Sequence, residues 1–399
     1  MDDRPPPLAG VRVIDLTQIY NGPYATFLMA MAGAEVIKIE PLQGEHLRRR
    51  GVVGGAALPF AMLNGNKRAV TLNLKSERGR GLLLDMVRRA DILVENFAPG
   101  TMDRLGVGWD VLSAANPRLI YGASSGYGST GPNRDYPAMD LTVQAMSGIM
   151  SITGFPDRPP VKTGPAICDF SAGIHLYGAI MTALYERERT GRGRRVEVSM
   201  QDAVYATLSS SLGMMRGATG EVPSRTGNRH SGMAESPYNV YPTRDGYIAI
   251  ICVGEAHWQS LARAMGRPEL ARDPRFGSLK SRVAHMDAVD EIVCGWTREW
   301  DKLALFDLLI GNHVPCAPVR SLDEVVNDAH MHERGALLQI EHPELGPITV
   351  QRSPLRFEGT PLPEMLPSSR LGEQNDQVYG DWFGLTADEI NALKNEGVI

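Results

Sequence analysis

The stretch AICDFSAGIHL, residues 166–176, sets one carboxylate, Asp169, between a short apolar run and a helical stripe. An ionised carboxylate beside apolar surface loses hydration, so it must cap something, pair with something or react. Phe170, Ile174, Tyr177, Met181 and Leu184 recur at helical spacing, which predicts a helix opening at Asp169. A carboxylate at a helix start accepts backbone N–H bonds and complements the helix dipole. The same place suits a nucleophile. The acid is expected to stay ionised there, and nearby N–H groups can hold a developing oxyanion. The spacing alone leaves capping and nucleophilic attack both open.

Other stretches invite chemistry with less support. GASSG, residues 122–126, fits a nucleophile elbow after the strand RLIY. An elbow must turn straight into a helix, whereas the loop formers YGSTGPNRDYP follow. Lys67, Arg68 and Lys75 flank the strand RAVTLNL, and Asn96 and Arg104 follow the strand DILVENF. Such side chains at strand ends could hold phosphates or could form a solvated basic edge. No G-x-G-x-x-G, P-loop or HExxH pattern occurs, so nicotinamide, flavin, ATP and zinc-protease readings lose their usual support. The four cysteines contain no CxxC pair, which argues for reduced thiols and against a zinc site or a disulfide framework.

The elements that must position these residues form two textures. VRVIDL reads as a buried strand and EVIKIE, RAVTLNL, DILVENF, RLIYGAS and RVEVSM as further strands, with helices such as GPYATFLMAMAGA and ERGRGLLLDMVRRA between them. Ser76 is placed to cap the second of these helices and Asp202 another, while Gly191 marks a helix stop. This alternation predicts an α/β fold with a Rossmann-like parallel sheet, and a ligand at the strands' carboxyl ends. Residues 1–200 are expected to form the large domain, 201–232 a Gly/Ser/Pro-rich linker and 233–320 a small α+β domain. In the small domain, YNVYPTRDGYIAIICV reads as a hairpin followed by amphipathic helices. Residues 321–399 are expected to be a second linker and a loop-rich tail returning to the large domain, with a last helix beginning near Thr386. The formal net charge of -5 gives no reason to expect nucleic acid or a membrane surface as partner. The N-terminus lacks a signal-peptide pattern, no apolar run is expected to reach transmembrane length, and a cytoplasmic location follows as the expectation.

Taken in order, VRVIDLTQIYNGPYATFLMAMAGAEVIKIE, NGNKRAVTLNLK, ADILVENFAPGTMDRLG, LIYGASSGYGSTGP, AICDFSAGIHL, TGRGRRVEVSMQDA and YNVYPTRDGYIAI resemble the class III CoA-transferases. This is the family of formyl-CoA and carnitine CoA-transferases, and the resemblance spans essentially the whole chain. It implies that Asp169 is a catalytic nucleophile forming a covalent aspartyl-CoA thioester. It implies CoA contacts at Leu72, Asn73 and Lys75, at Asn96, Phe97 and Ala98, at Arg104, and at Met139 and Asp140. Tyr20 and Asn21, just before Gly22 and Pro23, match a position near the thioester. Cys168 stands where the family usually has a small residue, and the region GNRHSGMAESPY lacks the glycine run of the formyl-CoA transferase flap. The resemblance further implies an interlocked-ring homodimer. Acyl-CoA and a small carboxylic acid are the expected substrates, with no permanently bound cofactor and no metal.

A rival on the same fold is the α-methylacyl-CoA racemase branch, which needs two opposed acid/base groups. Met139 stands where that branch has its histidine, while Glu255 falls near its other base and keeps the reading open. A CoA-binding protein without chemistry is the remaining alternative. Succinyl-CoA is the expected donor from family habit. Arg225, Arg229 and His230 in the linker could meet a second carboxylate, or could belong to a solvated polar loop.

Overall fold

The computed structural model describes residues 4–50, 57–217, 220 and 222–399; residues 1–3, 51–56 and linker positions 218, 219 and 221 therefore lie outside the described residues. The chain divides into two compact units: the described residues within Met1–Val143, Pro165–Val204 and Asp328–Ile399, and those within Gln144–Gly164 and Tyr205–Asn327.

The first unit is built on a six-stranded sheet in the order β3-β2-β1-β4-β5-β6. The strands are β1 (Arg12–Asp15), β2 (Glu35–Glu40), β3 (Arg68–Thr71), β4 (Ile92–Glu95), β5 (Ile120–Ser125) and β6 (Arg195–Ser199). All five pairings are parallel, with Val13 opposite both Val36 and Ile92. The strands alternate their apolar side chains between two cores because each face is covered by helices. Ile14, Ile37, Val70 and Leu93 face a core with the Glu77–Val87 helix and the C-terminal helices. Val13, Val36, Ile92 and Val94 face one with the Asn21–Met31 and Ile167–Thr190 helices. Topology reverses between β1 and β4, the place where such sheets open a crevice for a ligand.

Local signals account for several boundaries. Ser76 Oγ accepts the Gly79 N–H at 3.0 Å, and Gly191 ends its helix at φ 70°. Thr386 and Glu389 form a capping box for the last helix. Asp202 does not cap its helix. Ser199 Oγ accepts the Asp202 N–H instead, since the helix begins at Met200. The tail is more structured than its composition predicts. A hairpin joins β10 (Leu337–His342) to β11 (Gly346–Gln351), and a helix spans Asn375–Phe383. Asn375 fixes that helix on β3, accepting from Thr71 N and donating to Thr71 Oγ1. The Ile167–Thr190 helix is, against expectation, long and apolar enough to cross a membrane by length and composition. It packs on β5, β6 and the Asn21–Met31 helix, the use to which a core helix puts the same composition.

The second unit carries a three-stranded antiparallel sheet, β7 (Tyr238–Pro242), β8 (Tyr247–Ile251) and β9 (Cys316–Pro318), in that order. Trp258, Phe276, Tyr241 and Leu305 are buried in its core.

Candidate active site

Three polar anchors shape the crevice at the β1/β4 switch point, all within the first unit. Gln18 N–H donates to Asn96 Oδ1 at 2.9 Å and Asn96 Nδ2 returns a bond to Gln18 O at 2.8 Å. The turn after β1 is thereby tied to the turn after β4. Asn21 Nδ2 donates to Ser124 Oγ at 2.8 Å, and Ser124 Oγ–H donates to Val198 O at 3.1 Å. The hydroxyl of the apparent elbow is thus a scaffold between β5 and β6, and no helix follows it directly. The turn itself is strained: Ile19 has φ 66°, a left-handed conformation that costs a β-branched residue about 1–3 kcal/mol.

These anchors border a cavity of about 510 Å³, lined among others by Asn21, Phe97, Arg104, Met139 and Asp169. A second cavity of about 420 Å³ is lined by Leu72, Asn73, Lys75 and Glu45. The two meet at Gln18 and Phe97, which line both. Each has the size of a small-molecule site, and together they border the carboxyl ends of β1–β5. Sequence reasoning missed Gln18, which only its position one turn after a strand could have marked; Ser124 was marked by GASSG, but as a nucleophile rather than as the scaffold it is.

Asp169 does not sit at the helix cap. Ala166 does, and Asp169 lies in the first turn, 9% exposed. The capping carboxylate comes from another element. Asp140 Oδ1 accepts the Cys168 N–H at 2.9 Å and the Asp169 N–H at 3.2 Å. Two amides that would have stabilised an ionised Asp169 are therefore occupied by a second negative charge. Burial, and then repulsion from Asp140, push the Asp169 carboxyl up from 3.8 to about 7. The expectation that the helix start keeps Asp169 fully charged is thus reversed; near neutrality it titrates.

This reversal has a cost in stability. Because the folded-state value is raised, the unfolded chain binds fewer protons between pH 4 and 7, so stability falls as pH rises through that window. The shift, from 3.8 to about 7, corresponds to at most about 4 kcal/mol above pH 7. Asp169→Asn is expected to melt roughly a few degrees higher than the unaltered protein at pH 8, with the gap closing by pH 4; scanning calorimetry at the two pH values checks this.

The other sequence-predicted residues separate by position. Asn96, Phe97, Ala98, Arg104 and Met139 line the Asp169 cavity with Asn21, while Leu72, Asn73 and Lys75 line its neighbour. Tyr20 borders neither cavity and stacks on Phe170 at 5.9 Å. Asp140 borders neither and acts through the helix start. Asn73 is committed to the chain, donating to Val398 O through its backbone and to Gly397 O through Nδ2. Of the three cations around β3, only Lys75 borders a cavity. Lys67 is buried against Asp15, and Arg68 pairs with Glu35 and Asp381.

In the second unit, the side chains considered for a substrate carboxylate are already engaged. Arg225 donates to the carbonyls of Phe155, Ser151 and Arg158. Arg229 pairs with Asp287 and Asp290. His230 Nδ1 accepts the Gly232 N–H, and its ring meets Tyr238 edge-on. Glu255 is held too, Oε1 accepting the Leu279 N–H and Oε2 pairing with the buried Arg282 at 2.8 Å. Arg282 and that amide bond hold its carboxyl, against a desolvating contribution, below the usual range, which ill suits a proton-abstracting base.

A mixed α/β unit with a parallel sheet, a switch-point crevice and a buried carboxylate is a general arrangement. Comparison with known proteins makes it specific: the model of CoA-transferase family III matches residues 8–375. The chain belongs to CoA-transferase family III. The formyl-CoA:oxalate CoA-transferase of Streptomyces coelicolor is 38% identical, with 98% of this chain and 99% of that protein aligned. The succinyl-CoA--D-citramalate CoA-transferase of Chloroflexus aurantiacus is 36% identical, with 99% of each aligned. A crystal structure of a CaiB/BaiF family protein from Brucella suis superposes with a TM-score of 0.82 at 33% identity, covering 94% of this chain and 99% of that one. As a family III CoA-transferase the protein is an enzyme of acyl-CoA chemistry, with a CoA thioester and a carboxylate as its substrate classes.

Proposed function

We propose that the protein moves CoA from a donor acyl-CoA to a small carboxylic acid through a covalent thioester on Asp169. The observation that carries this reading is the buried carboxylate of Asp169 in the wall of a cavity of about 510 Å³, beside a second cavity suited to the nucleotide end of CoA. In the first step the ionised Asp169 attacks the thioester carbonyl, forming a mixed anhydride and expelling CoA thiolate. The thiolate then attacks the aspartyl carbonyl of the anhydride, releasing the donor acid and leaving aspartyl-CoA. The acceptor carboxylate attacks that thioester in turn and the two steps run backwards. Each step exchanges one acyl bond for another, so no redox partner is needed, and the intermediates survive only where water is kept out.

Lys75 and Arg104 are the cations best placed for phosphates, and Leu72 and Phe97 supply apolar contact for the base and pantetheine arm. Lys75→Ala is expected to weaken CoA binding by about tenfold while leaving kcat nearly unchanged; calorimetric titration with CoA and steady-state kinetics separate the two. The same reading takes succinyl-CoA as donor, a cytoplasmic setting, and an interlocked homodimer. Exposed Ile174 and Tyr185 on the long apolar helix support a covering partner copy. Incubating the enzyme with succinyl-CoA and a panel of mono- and dicarboxylic acids tests the function. A new thioester appearing without net release of CoA supports it, and exchange of an α-proton without thioester transfer contradicts it.

A further inference from the structure

We propose that the buried Asp15–Lys67 pair positions Asn21 for acyl transfer by holding the strained turn Thr17–Gly22 in its left-handed form. The inference rests on the transferase reading and assigns it two positioning residues. Asp15 closes β1 at the switch point and is 0% exposed, with Lys67 at 3%. Lys67 Nζ lies 3.0 Å from Asp15 Oδ2.

What sets this pair apart is where its remaining bonds go. Asp15 Oδ1 accepts both the backbone N–H and the hydroxyl of Thr17, at 2.8 and 2.5 Å, and Oδ2 accepts the Thr26 hydroxyl at 2.6 Å. Lys67 Nζ reaches Pro23 O at 3.0 Å and Thr26 Oγ1 at 2.8 Å. A second buried cation, Lys38, donates to Thr17 O at 2.9 Å. Nearly every polar contact of the cluster therefore ends on Thr17 or on the first turns of the Asn21–Met31 helix. These are the two flanks of Tyr20 and Asn21. A Cβ at Gly22 would collide with the Thr17 side chain, so turn and helix start interlock.

Buried ion pairs contribute little net stability compared with apolar replacements of similar volume. A pair retained at this site is more readily explained by geometry than by stability. A β-branched residue at positive φ relaxes to negative φ unless its surroundings forbid it, and such a relaxation at Ile19 would displace the residues that follow. Asn21 is 2% exposed, borders the Asp169 cavity and has a buried Oδ1 without a hydrogen-bond partner among the described residues. Its amide is thus placed by the turn rather than by partners of its own beyond Ser124. Misplacement of a reacting group's neighbour by about 1 Å can cost on the order of 100-fold in rate.

The test is the double variant Asp15→Asn/Lys67→Met in the full chain, with Thr17→Val as a milder companion. Removing both charges avoids stranding either one, as a single substitution would. Melting temperature, calorimetric affinity for CoA, and kcat with succinyl-CoA and the best acceptor are measured for each and for the unaltered enzyme. The expected result is a melting temperature and CoA affinity close to the unaltered values with kcat lowered about 30-fold or more. Thr17→Val is expected to lose about fivefold in kcat through one hydroxyl contact. Retention of full kcat by a folded double variant overturns the proposal. If the double variant fails to fold, unchanged kcat in Thr17→Val overturns it. Absence of any transfer by the unaltered enzyme over the donor and acceptor panel refutes the transferase reading instead, and the positioning role with it.

Discussion

Asp169→Ala is expected to lower CoA transfer by about 10⁴-fold or more while leaving CoA binding within the range of the unaltered enzyme. The size of the effect follows from covalent catalysis. On the proposed mechanism, removing Asp169 removes the path through anhydride and thioester, and such losses are not shared among neighbouring groups. The affinity expectation follows from position. Asp169 lies in the wall of one cavity, whereas Leu72, Asn73 and Lys75 lie in the other. Asp169→Glu is also expected to be poor, since an added methylene moves the carboxylate by more than the tolerance of a positioned attack. Steady-state rates and calorimetric titration on the same preparations check both parts. A variant that loses binding and turnover together would assign Asp169 to binding rather than to attack.

The second large effect lies in the pH dependence. The proposed attack requires the ionised carboxylate, and burial with Asp140 beside it pushes Asp169 up to about 7. On the acid side kcat/KM is therefore expected to fall about tenfold per pH unit below that value and to level off above it. Glu95 complicates the assignment, because burial raises its carboxyl to about 7 as well, under the Phe97 turn. Asp140→Asn separates the two. The amide oxygen still accepts the Cys168 and Asp169 N–H groups, so the helix start is kept, while the negative charge that repels Asp169 is gone. The acid limb is expected to move to lower pH, with the variant retaining about fivefold more of its pH 8 activity at pH 6 than the unaltered enzyme. A limb that stays in place would assign it to Glu95, whose carboxyl is raised by burial. Asp140→Leu should instead destabilise the helix start by about 1–3 kcal/mol, leaving two buried donors without an acceptor.

The fold was largely legible because its signals are local. β1 to β5 are short, largely apolar runs and β6 alternates apolar with charged residues, while Ser76, Gly191 and Thr386 announce helix ends through their own chemistry. The helix at Asn375–Phe383 escaped because Asn375 works across the chain on Thr71, a partner 304 positions away, and its local sequence reads as loop. The site shows the same division. Asp169 stood out by type and surroundings, but its charge state depends on Asp140, 29 residues earlier, taking the amides of its helix. Lys67, Arg68, Arg225 and Arg229 read as free cations because sequence displays a charge and not its partner. All four prove to be spoken for, by Asp15, by Glu35, by main-chain carbonyls and by Asp287 and Asp290. Tyr20 and Asn21 are adjacent in the chain, yet only Asn21 borders the cavity, because the turn at Ile19 sends the tyrosine ring onto Phe170.

The most direct test of covalent transfer on Asp169 is mass spectrometry of the enzyme mixed with succinyl-CoA and quenched with hydroxylamine. An activated aspartyl group is captured as a hydroxamate, and the account predicts that mark on the peptide carrying Asp169 and its absence from Asp169→Ala. An unmarked Asp169 in enzyme that is turning over the same succinyl-CoA would contradict it.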